Sequence, residues 1–262
     1  MNPAPPRLLV VTAVAPEAAA VLRGVTTALP HSGPVEVALP GGLLLTRCGP
    51  VDVLAAGVGP AAAAAATATA LTAAALAACG GHADSPGPAD SPTAAPAWAY
   101  RLAVSAGIAG GFAPVAPLGC AVAAEAIVAA DLGADTPEGF ADAAELGFGR
   151  VRHATVHAEL VAHRLRNAGV PTALGTVLTV STVTGSAERA AALTDRHPGV
   201  VAEAMEGFGV AEAAAAHGVP VLELRSVSNA VGPRDRAAWR MGEAFATLER
   251  VFAHLPYTDL TG

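Results

Sequence analysis

Short runs of apolar residues recur along the chain, separated by glycine, proline or polar residues. Runs of this length with such boundaries predict strands buried on both faces. The predicted strands cover residues 8–14, 35–39, 43–48, 51–56, 101–105, 121–128, 173–180 and 219–227. The second and third runs flank Pro40-Gly41-Gly42, which predicts a hairpin.

Helical signals occupy the segments between these runs. A helix is predicted from Ala15 to about Arg23, where Gly24 would end it. An alanine-rich helix is predicted from Pro60 to Cys79, because proline fits the first helical turn. Further helices are predicted at residues 157–167, within 200–217 and at about 237–254. In the last of these, the bulky apolar residues fall mostly on one face: Trp239, Met241, Phe245, Leu248 and Phe252.

Strands that alternate with helices are typical of a mixed, largely parallel sheet covered on both faces. The 262 residues show no internal repeat and fit one domain better than two. We therefore predict a single-domain α/β three-layer sandwich with a central mixed, largely parallel sheet over residues 1–262. Residues 82–97, rich in Pro, Ser, Gly and Asp, predict a flexible surface loop within this domain.

Composition and charge narrow the classes of partner. A net charge of -7 without a Lys/Arg cluster argues against nucleic acid. The apolar stretch at 61–78 is alanine interrupted by threonine, which is too weakly hydrophobic for a membrane span. With no signal-peptide pattern in the sequence, we expect a cytoplasmic protein. The cysteines lack metal-ligand spacing and are interpreted as reduced core thiols: Cys48, Cys79 and Cys120.

Candidate ligand-binding residues gather at the predicted carboxyl ends of strands, where open α/β sheets bind their ligands. They are Glu17, Gly57-Val58-Gly59, residues 106–111, Met205-Glu206, and Ser228-Asn229 with Arg234-Asp235. The glycine segments would let the backbone approach a ligand. Each of them alone equally describes a tight turn between a strand and a helix. Their convergence predicts a cleft along one edge of the sheet.

Two glutamates in this set fit the chemistry of N-glycosidic bond cleavage. That reaction passes through an oxocarbenium-like sugar and needs a carboxylate that activates water. Glu17 directly follows a strand and fits this role, and the alternative is a solvated first-turn acid favoured by the helix dipole. Glu206 lies in an apolar stretch, where an unpaired carboxylate is costly to bury. It is therefore either paired or functional.

Other catalytic motifs are absent from the sequence. His153 and His157 stand four apart without the glutamate of H-E-x-x-H, so no metal site is predicted. Neither G-x-S-x-G nor G-x-x-x-x-G-K-[ST] occurs. Residues 106–111 also lack the G-x-G-x-x-G spacing of a nicotinamide site. We therefore expect neither a metal nor an organic cofactor.

Six segments, in order, resemble the nucleoside phosphorylase and nucleosidase superfamily. They are VVTAVAPEAAAV (10–21), AAGVGPAAAAAAT (55–67), VSAGIAGGF (104–112), TVLTVSTVTGSAERAAAL (176–193), AEAMEGFGVA (202–211) and LRSVSNAVGPRDRAAW (224–239). Each is modest alone, but together they extend from Leu8 to about Leu255. The proline-rich stretch at 82–97 lies outside the resemblance.

The resemblance implies roles for several residues. The hydrolytic branch has a glutamate four residues beyond an alanine, which Ala13 and Glu17 match, so Glu17 is expected to activate the attacking water. The family's Met-Glu pair matches Met205-Glu206. Met205 is therefore expected to pack on the ribose, and Glu206 to accept hydrogen bonds from its hydroxyls. Residues of the glycine segments are expected to line the substrate cleft: Gly59, Ile108, Ala109 and Gly110.

One comparison within the family favours water over phosphate as the nucleophile. The phosphorolytic branch places an arginine on the strand before the glycine run. Here Ala103, Val104 and Ser105 precede it, with no basic residue closer than Arg101. A phosphate dianion needs a charged clamp, so the sequence favours hydrolysis.

Another comparison concerns the base. Adenosine-type nucleosidases of the family carry Ser-Asp near the last strand, whereas this chain has Ser228-Asn229. An amide is no general acid, but Asn229 can donate to O6 or N7 of a 6-oxopurine and accept from N1–H. Residues 231–235 and Trp239 resemble the futalosine-cleaving branch. The resemblance implies a 6-oxopurine nucleoside, with futalosine the leading candidate.

The loop after Asn229 leaves two alternatives open. Asp235 either supplies the acid that Asn229 lacks or forms an ion pair with Arg234. Arg234 or Arg236 also suits the benzoate carboxylate of futalosine, because arginine forks match carboxylates.

Residues 179–185 are expected to line the base pocket, with Thr182 and Val183 in contact with the substrate. The family usually has a stacking aromatic residue near Thr182, and none occurs here. The sequence therefore leaves open what contacts the face of the base.

The expected reaction is the release of hypoxanthine from futalosine by water, giving dehypoxanthinyl futalosine, a step in menaquinone synthesis. Three alternatives remain open: a methylthioadenosine or S-adenosylhomocysteine nucleosidase, a purine nucleoside phosphorylase, and a nucleoside-binding protein without catalysis. Asn229 argues against the first, and the presence of both Glu17 and Glu206 argues against the last. The resemblance also implies a homo-oligomer.

Overall fold

The computed structural model describes residues 7–80 and 100–261, so the predicted loop at 82–97 lies outside the described residues. The strands are β1 Arg7–Thr12, β2 Val35–Ala38, β3 Leu44–Cys48, β4 Val51–Ala55, β5 Tyr100–Gly111, β6 Ala121–Ala129, β7 Gly133–Thr136, β8 Gly139–Asp142, β9 Arg152–Ala154, β10 Thr172–Thr179, β11 Val200–Ala204 and β12 Val221–Ala230. The α-helices are α1 Ala15–Ala28, α2 Pro60–Gly80, α3 Ala158–Asn167, α4 Ala187–Arg196, α5 Gly207–Ala216, α6 Met241–Ala253 and α7 Tyr257–Thr261.

The central sheet has the strand order β11-β10-β6-β12-β5-β1-β4-β3-β2. The pairs β4–β1, β1–β5, β5–β12, β6–β10 and β10–β11 are parallel, whereas β6–β12 and the hairpin side of the sheet are antiparallel. The mixed, largely parallel sheet predicted from the sequence is thereby confirmed. The hairpin predicted around Pro40-Gly41-Gly42 is also confirmed, as β2 and β3.

The sheet also curls back on itself at the end of β5. Beyond its parallel pairing with β12, β5 pairs antiparallel with β11 through Gly110 and Gly111. Gly111 tolerates no side chain, because a Cβ there would overlap the Ala116 carbonyl oxygen and lie 2.7 Å from Val227 Cγ1. The curl brings the ends of β5, β11 and β12 together, and the cleft described below lies there.

Helices cover both faces of the sheet, as predicted. Apolar residues of α2 and α5 pack on one face, and those of α1, α3, α6 and α7 pack on the other. Alanine dominates the layer of α2 and α5, which lets these helices lie close to the sheet and to each other. A smaller cluster around Leu178 and Leu193 anchors α4.

Several predicted boundaries differ from the structure. Helix α1 continues through Gly24 to Ala28, so this glycine does not end the helix. A Cβ at position 24 would overlap the Glu249 carbonyl oxygen and lie 2.7 Å from Phe252 Cβ. Glycine is needed here because it lets α1 and α6 pack closely. Strand β5 runs through the glycine segment instead of ending at Ser105. The helix predicted at about 237–254 is α6, which begins only at Met241, after a 3-10 turn at Arg236–Ala238.

Helix α2 is long and apolar enough over Pro60–Ala77 to cross a membrane by length and composition, with a mean hydropathy of 1.4. Its residues Ala63, Ala66 and Ala70 are buried against the sheet. Packing in the core therefore accounts for at least one apolar face of this helix.

Replacement of Gly209 by alanine is expected to destabilise the fold. A Cβ at this position of α5 would overlap the Pro60 carbonyl oxygen and lie 2.8 Å from its carbon, where α2 begins. Overpacking of this kind costs about 1–3 kcal/mol. Urea unfolding measures the loss. Gly242→Ala is the matched control, because nothing lies within 4 Å of its Cβ position, and no destabilisation is expected there. An equally stable Gly209→Ala protein would contradict the packing described.

Candidate active site

Two adjoining cavities lie at the ends of β1, β5, β11 and β12. The first, here called the carboxylate cavity, is lined by Glu17, Met205, Glu206, Ser228 and their neighbours. The second, here called the loop cavity, is lined by the segment from Ala230 to Trp239 together with Leu118. The two share a set of residues at their junction: Gly110, Val183, Glu203, Asn229 and Trp239. The cleft predicted at the strand ends is therefore present.

Glu17 is a buried carboxylate with a fixed orientation. Its Oε2 accepts hydrogen bonds from the backbone N–H of Ala13 at 2.9 Å and of Val14 at 3.2 Å, and its Oε1 accepts from the N–H of Ile108 at 2.9 Å. Only 3% of the residue is exposed. Glu17 is therefore not a solvated first-turn acid. Burial raises the pKa of Glu17, although Arg225 and the backbone N–H groups oppose that rise.

Glu206 is both paired and placed in the carboxylate cavity. One residue, Met205, separates it from the end of β11, and it directly precedes the first residue of α5. Its Oε1 accepts from the N–H of Gly59 at 3.3 Å, and its Oε2 accepts from Arg225 Nη1 at 3.1 Å. Met205, half-buried beside it, also lines the cavity. Gly59 itself lines neither of the two cavities, contrary to the sequence-based expectation, and its contact with the site is the N–H that it donates to Glu206. Its φ of 95° is one that glycine adopts freely.

Arg225 holds the carboxylates together from behind the cavity. The residue is 1% exposed, and its guanidinium donates to Glu206, to Glu223 Oε1 at 2.9 Å and to Ser105 Oγ at 2.9 Å. Gly107 makes room for the cluster, since a Cβ there would lie 2.5 Å from Glu17 Oε1 and 2.9 Å from Arg225 Nη1. Arg225 therefore pairs with two buried carboxylates and acts electrostatically on a third, Glu17.

Glu223 is the deepest of these carboxylates. It is fully buried, and among the described residues its Oε2 has no hydrogen-bond partner. Burial raises the pKa of Glu223 to about 7, against the opposing effect of Arg225. With Glu17 and Glu206 facing the cavity and a single arginine behind them, the local field favours a ligand that develops positive charge.

A bulge in β12 turns two consecutive side chains toward the cleft. Val227 pairs with Ala109 and Asn229 pairs with Gly110, so Ser228 is an extra residue in the ladder. Ser228 Oγ donates to Asn229 Oδ1 at 2.9 Å, and Asn229 Nδ2 donates to the Ala230 carbonyl at 3.1 Å. One of the two acceptor positions of the amide oxygen is thereby used. The second N–H of the amide is left to donate to a ligand.

The segment after β12 forms the wall of the loop cavity. The Arg234 guanidinium lies 5.7 Å from the centre of the Trp239 ring, and the Arg236 guanidinium lies 6.0 Å from it. Asp235 is exposed, and its Oδ1 accepts from the Ala237 N–H at 3.0 Å as the cap of the 3-10 turn. Within the described ranges no ion pair joins Asp235 to Arg234. That alternative is therefore not seen, and the acid role of Asp235 stays a prediction.

Of the two residues predicted to contact the substrate in segment 179–185, only one lines a cavity. Val183 lines both cavities, whereas Thr182 is exposed and lines neither, contrary to the sequence-based expectation. Thr184 fixes this loop, because its N–H and Oγ1 both donate to Glu203, at 2.8 and 2.6 Å. That anchor turns Thr184 inward and leaves Thr182 on the solvent side.

Residues that sequence reasoning missed are charged residues inside apolar strands. Glu223 and Arg225 alternate with leucine on β12, and Glu203 lies between alanines on β11. Buried charges of this kind need partners. The need of a buried charge for a partner, which pointed to Glu206 in the sequence, points equally to Glu203, Glu223 and Arg225. In the part of the chain described, no three His, Cys, Asp or Glu side chains form a metal site.

Comparison with known proteins agrees with this fold. The family model of the phosphorylase superfamily matches residues 7–255. The chain therefore belongs to the phosphorylase superfamily.

Closer relatives place it within one branch. The chain is 57% identical to futalosine hydrolase of Streptomyces coelicolor over 241 residues, which cover 92% of this chain and 91% of that protein. It is 42% identical to futalosine hydrolase of Acidothermus cellulolyticus over 250 residues, covering 94% and 89%. At these identities and coverages, the chain is a member of the futalosine hydrolase family.

Solved structures support the fold. The 5'-methylthioadenosine/S-adenosylhomocysteine nucleosidase of Neisseria meningitidis matches with a TM-score of 0.71 at 17% identity, covering 95% of this chain and 97% of that one. Futalosine hydrolase of Helicobacter pylori matches with a TM-score of 0.70 at 18% identity, covering 94% and 95%. The nucleoside phosphorylase-like fold predicted from the sequence is confirmed.

Proposed function

We propose that this protein hydrolyses the N-glycosidic bond of futalosine with Glu17 as the general base, releasing hypoxanthine and dehypoxanthinyl futalosine as a step of menaquinone synthesis. The observation that carries the proposal is the fixed, buried Glu17 carboxylate facing the same cavity as Glu206 and Asn229. The choice of futalosine as substrate is supported by the two relatives, both futalosine hydrolases. The cytoplasmic location expected from the sequence belongs to the same proposal.

Glu17 deprotonates the attacking water. Three backbone N–H groups fix its carboxylate, so the base needs no reorientation when water and sugar are in place. Its raised pKa makes it a stronger base than an ordinary glutamate when ionised.

Met205 and Glu206 position the ribose. Met205 offers an apolar surface, and Glu206 keeps unused acceptor positions that suit sugar hydroxyls. As the bond to the base breaks, positive charge develops at C1′. The carboxylates of Glu17 and Glu206 stabilise that charge more than they stabilise the neutral substrate.

Asn229 holds the departing base. Because the Ala230 carbonyl accepts only one of its two amide N–H groups, Asn229 presents the other to O6 or N7 of the purine. Asp235 lines the adjoining loop cavity, where a proton donor to the base would lie. Arg234 lines that cavity as well and suits a carboxylate of the substrate.

Water is favoured over phosphate because the described lining of the carboxylate cavity contains no basic residue. The nearest cation, Arg225, is engaged by Glu206, Glu223 and Ser105. A phosphate dianion would therefore meet two carboxylates without a charged clamp.

As pH is lowered, the rate of hydrolysis is expected to decrease sooner than it would with a glutamate base of ordinary pKa. Glu17 is active only when ionised, and burial raises its pKa above 4.5. The rate should therefore drop as pH decreases through that raised pKa, and kcat/KM against pH measures it. Enzyme held at acidic pH and assayed at pH 7 is the control for unfolding. A flat profile down to pH 4.5 would contradict Glu17 as the base.

A substrate panel tests the proposed function. Hypoxanthine release from futalosine is expected, with much slower release from inosine and no adenine from methylthioadenosine. Adenine release would favour the methylthioadenosine nucleosidase alternative. Binding of futalosine without release of any base would favour a nucleoside-binding protein and refute the proposal.

A homo-oligomer is part of the same proposal. Val14 and Val58 line the carboxylate cavity and are 38% and 57% exposed, which would suit coverage by a second copy. Light scattering on the purified protein measures the mass, and a monomer at assay concentration would contradict this part.

A further inference from the structure

Glu203 is a buried carboxylate at the junction of the two cavities that the proposed mechanism leaves unused. It is 4% exposed and lines both cavities. Unlike Glu206 and Glu223, it forms no ion pair among the described residues. Its hydrogen bonds come from Thr184, whose N–H donates to Oε1 and whose hydroxyl donates to Oε2.

Strand register places Glu203 opposite Asn229. Gly110 on β5 pairs with Glu203 on one side and with Asn229 on the other. A Cβ on Gly110 would lie 2.9 Å from Val231 Cγ2, 3.2 Å from Asn229 Nδ2 and 3.5 Å from Glu203 Cγ. Only glycine fits at this point, and it lets the side chains of Glu203 and Asn229 approach each other. Both side chains line both cavities, so a ring bound at their junction would meet the two together.

The two side chains offer opposite hydrogen-bonding groups to the junction of the cavities. Asn229 offers the amide N–H that Ala230 does not accept, and Ser228 already takes one of the two acceptor positions of its oxygen. Glu203 offers acceptor positions, since each carboxylate oxygen takes two hydrogen bonds and Thr184 supplies one to each. Burial raises the pKa of Glu203, against the opposing hydrogen bonds from Thr184.

A 6-oxopurine carries the complementary pair, an acceptor at O6 beside a donor at N1–H. A 6-aminopurine carries the reverse, a donor at N6 beside an acceptor at N1. We propose that Glu203 is a specificity-determining residue that accepts the N1–H of the purine and, with Asn229, selects 6-oxopurine over 6-aminopurine nucleosides. This inference rests on the proposed function and deepens it.

Glutamine at position 203 reverses the group that faces the base. Its amide oxygen must accept from the Thr184 N–H, and its NH₂ then donates to Thr184 Oγ1. The remaining N–H points where the carboxylate offered an acceptor. Glu203→Gln therefore keeps the loop anchor and presents a donor to N1.

The test compares kcat/KM of wild type and Glu203→Gln on futalosine and on its 6-amino analogue. A lost hydrogen bond to a charged group corresponds to about a tenfold to hundredfold loss on futalosine. The 6-amino analogue should lose nothing or gain. Glu188→Gln, an exposed acid of α4, is the matched control and should match wild type on both substrates.

A binding measurement separates this inference from the proposed function. Calorimetry with wild type should show hypoxanthine binding more tightly than 1-methylhypoxanthine, which lacks N1–H, and Glu203→Gln should lose most of that difference. Absence of hypoxanthine release by wild type would refute the proposed function alone. Equal binding of the two bases, or equal loss of kcat/KM on both nucleosides, would overturn the role of Glu203.

Discussion

Glu17→Gln is expected to lower kcat for futalosine hydrolysis by about 10²- to 10⁴-fold, the usual contribution of a general base. The amide cannot take a proton from water, whereas Met205 and Glu206, which we propose bind the sugar, are unchanged. KM should therefore change little. Steady-state release of hypoxanthine measures both constants.

The same replacement has a structural consequence that needs its own control. Both oxygens of Glu17 accept backbone N–H groups, so an amide NH₂ must face one of these donors. An unsatisfied buried donor costs about 1–3 kcal/mol. Urea unfolding shows whether the variant is folded at the assay temperature. Glu159→Gln, at an exposed first-turn acid of α3, should leave activity unchanged and cost at most about 1 kcal/mol, since only an interaction with the helix dipole is lost. A folded Glu17→Gln enzyme with wild-type kcat would remove Glu17 from the mechanism.

Arg225→Met is expected to lower the free energy of unfolding by about 3–5 kcal/mol, the usual cost of breaking a buried ion pair from one side. Methionine fills much of the volume but leaves Glu206 and Glu223 without their cation. Activity should fall as well, because Glu206 loses the group that orients it. Urea unfolding and kcat/KM measure the two effects.

The loss of stability in Arg225→Met should depend on pH with a defined sign. The pKa of Glu223 is raised to about 7 by burial and would rise further without Arg225. A group whose folded-state pKa is raised stabilises the fold at acidic pH and loses that effect as pH increases. The variant should therefore be closest to wild type near pH 5 and furthest near pH 8.

Arg23→Met is the matched control for this variant. Arg23 pairs with Glu249 on the surface, with about half of its side chain exposed. Surface pairs contribute about 0–1 kcal/mol. Similar decreases in the free energy of unfolding of Arg23→Met and Arg225→Met would contradict a stabilising role of the buried cluster around Arg225.

Much of the fold followed from the apolar pattern because strands buried on both faces leave a clear signal. The departures occur at glycines. Gly24 suggested the end of a helix and the glycine segment at 106–111 suggested a tight turn, yet the glycines of both permit close packing inside regular elements. A glycine in a sequence does not reveal whether it bends the chain or makes room for a neighbour. That depends on tertiary contacts.

Some residues of the candidate active site could be predicted from the sequence and others could not. Glu17, Glu206 and Asn229 were found because each lies beside a predicted strand end and matches a family motif. Arg225 and Glu203 lie within strands, and their importance arises from partners far away in sequence, such as Ser105 and Gly110. The bulge at Ser228, which turns it and Asn229 toward the cleft, depends on the register with β5 and is invisible in the sequence.

The measurement that tests the central claim most directly is the initial rate of hypoxanthine release from futalosine in phosphate-free buffer, repeated with added phosphate. Water activated by Glu17 predicts the full rate without phosphate and a sugar product with a free anomeric hydroxyl. Release that requires phosphate and yields a sugar 1-phosphate would contradict it.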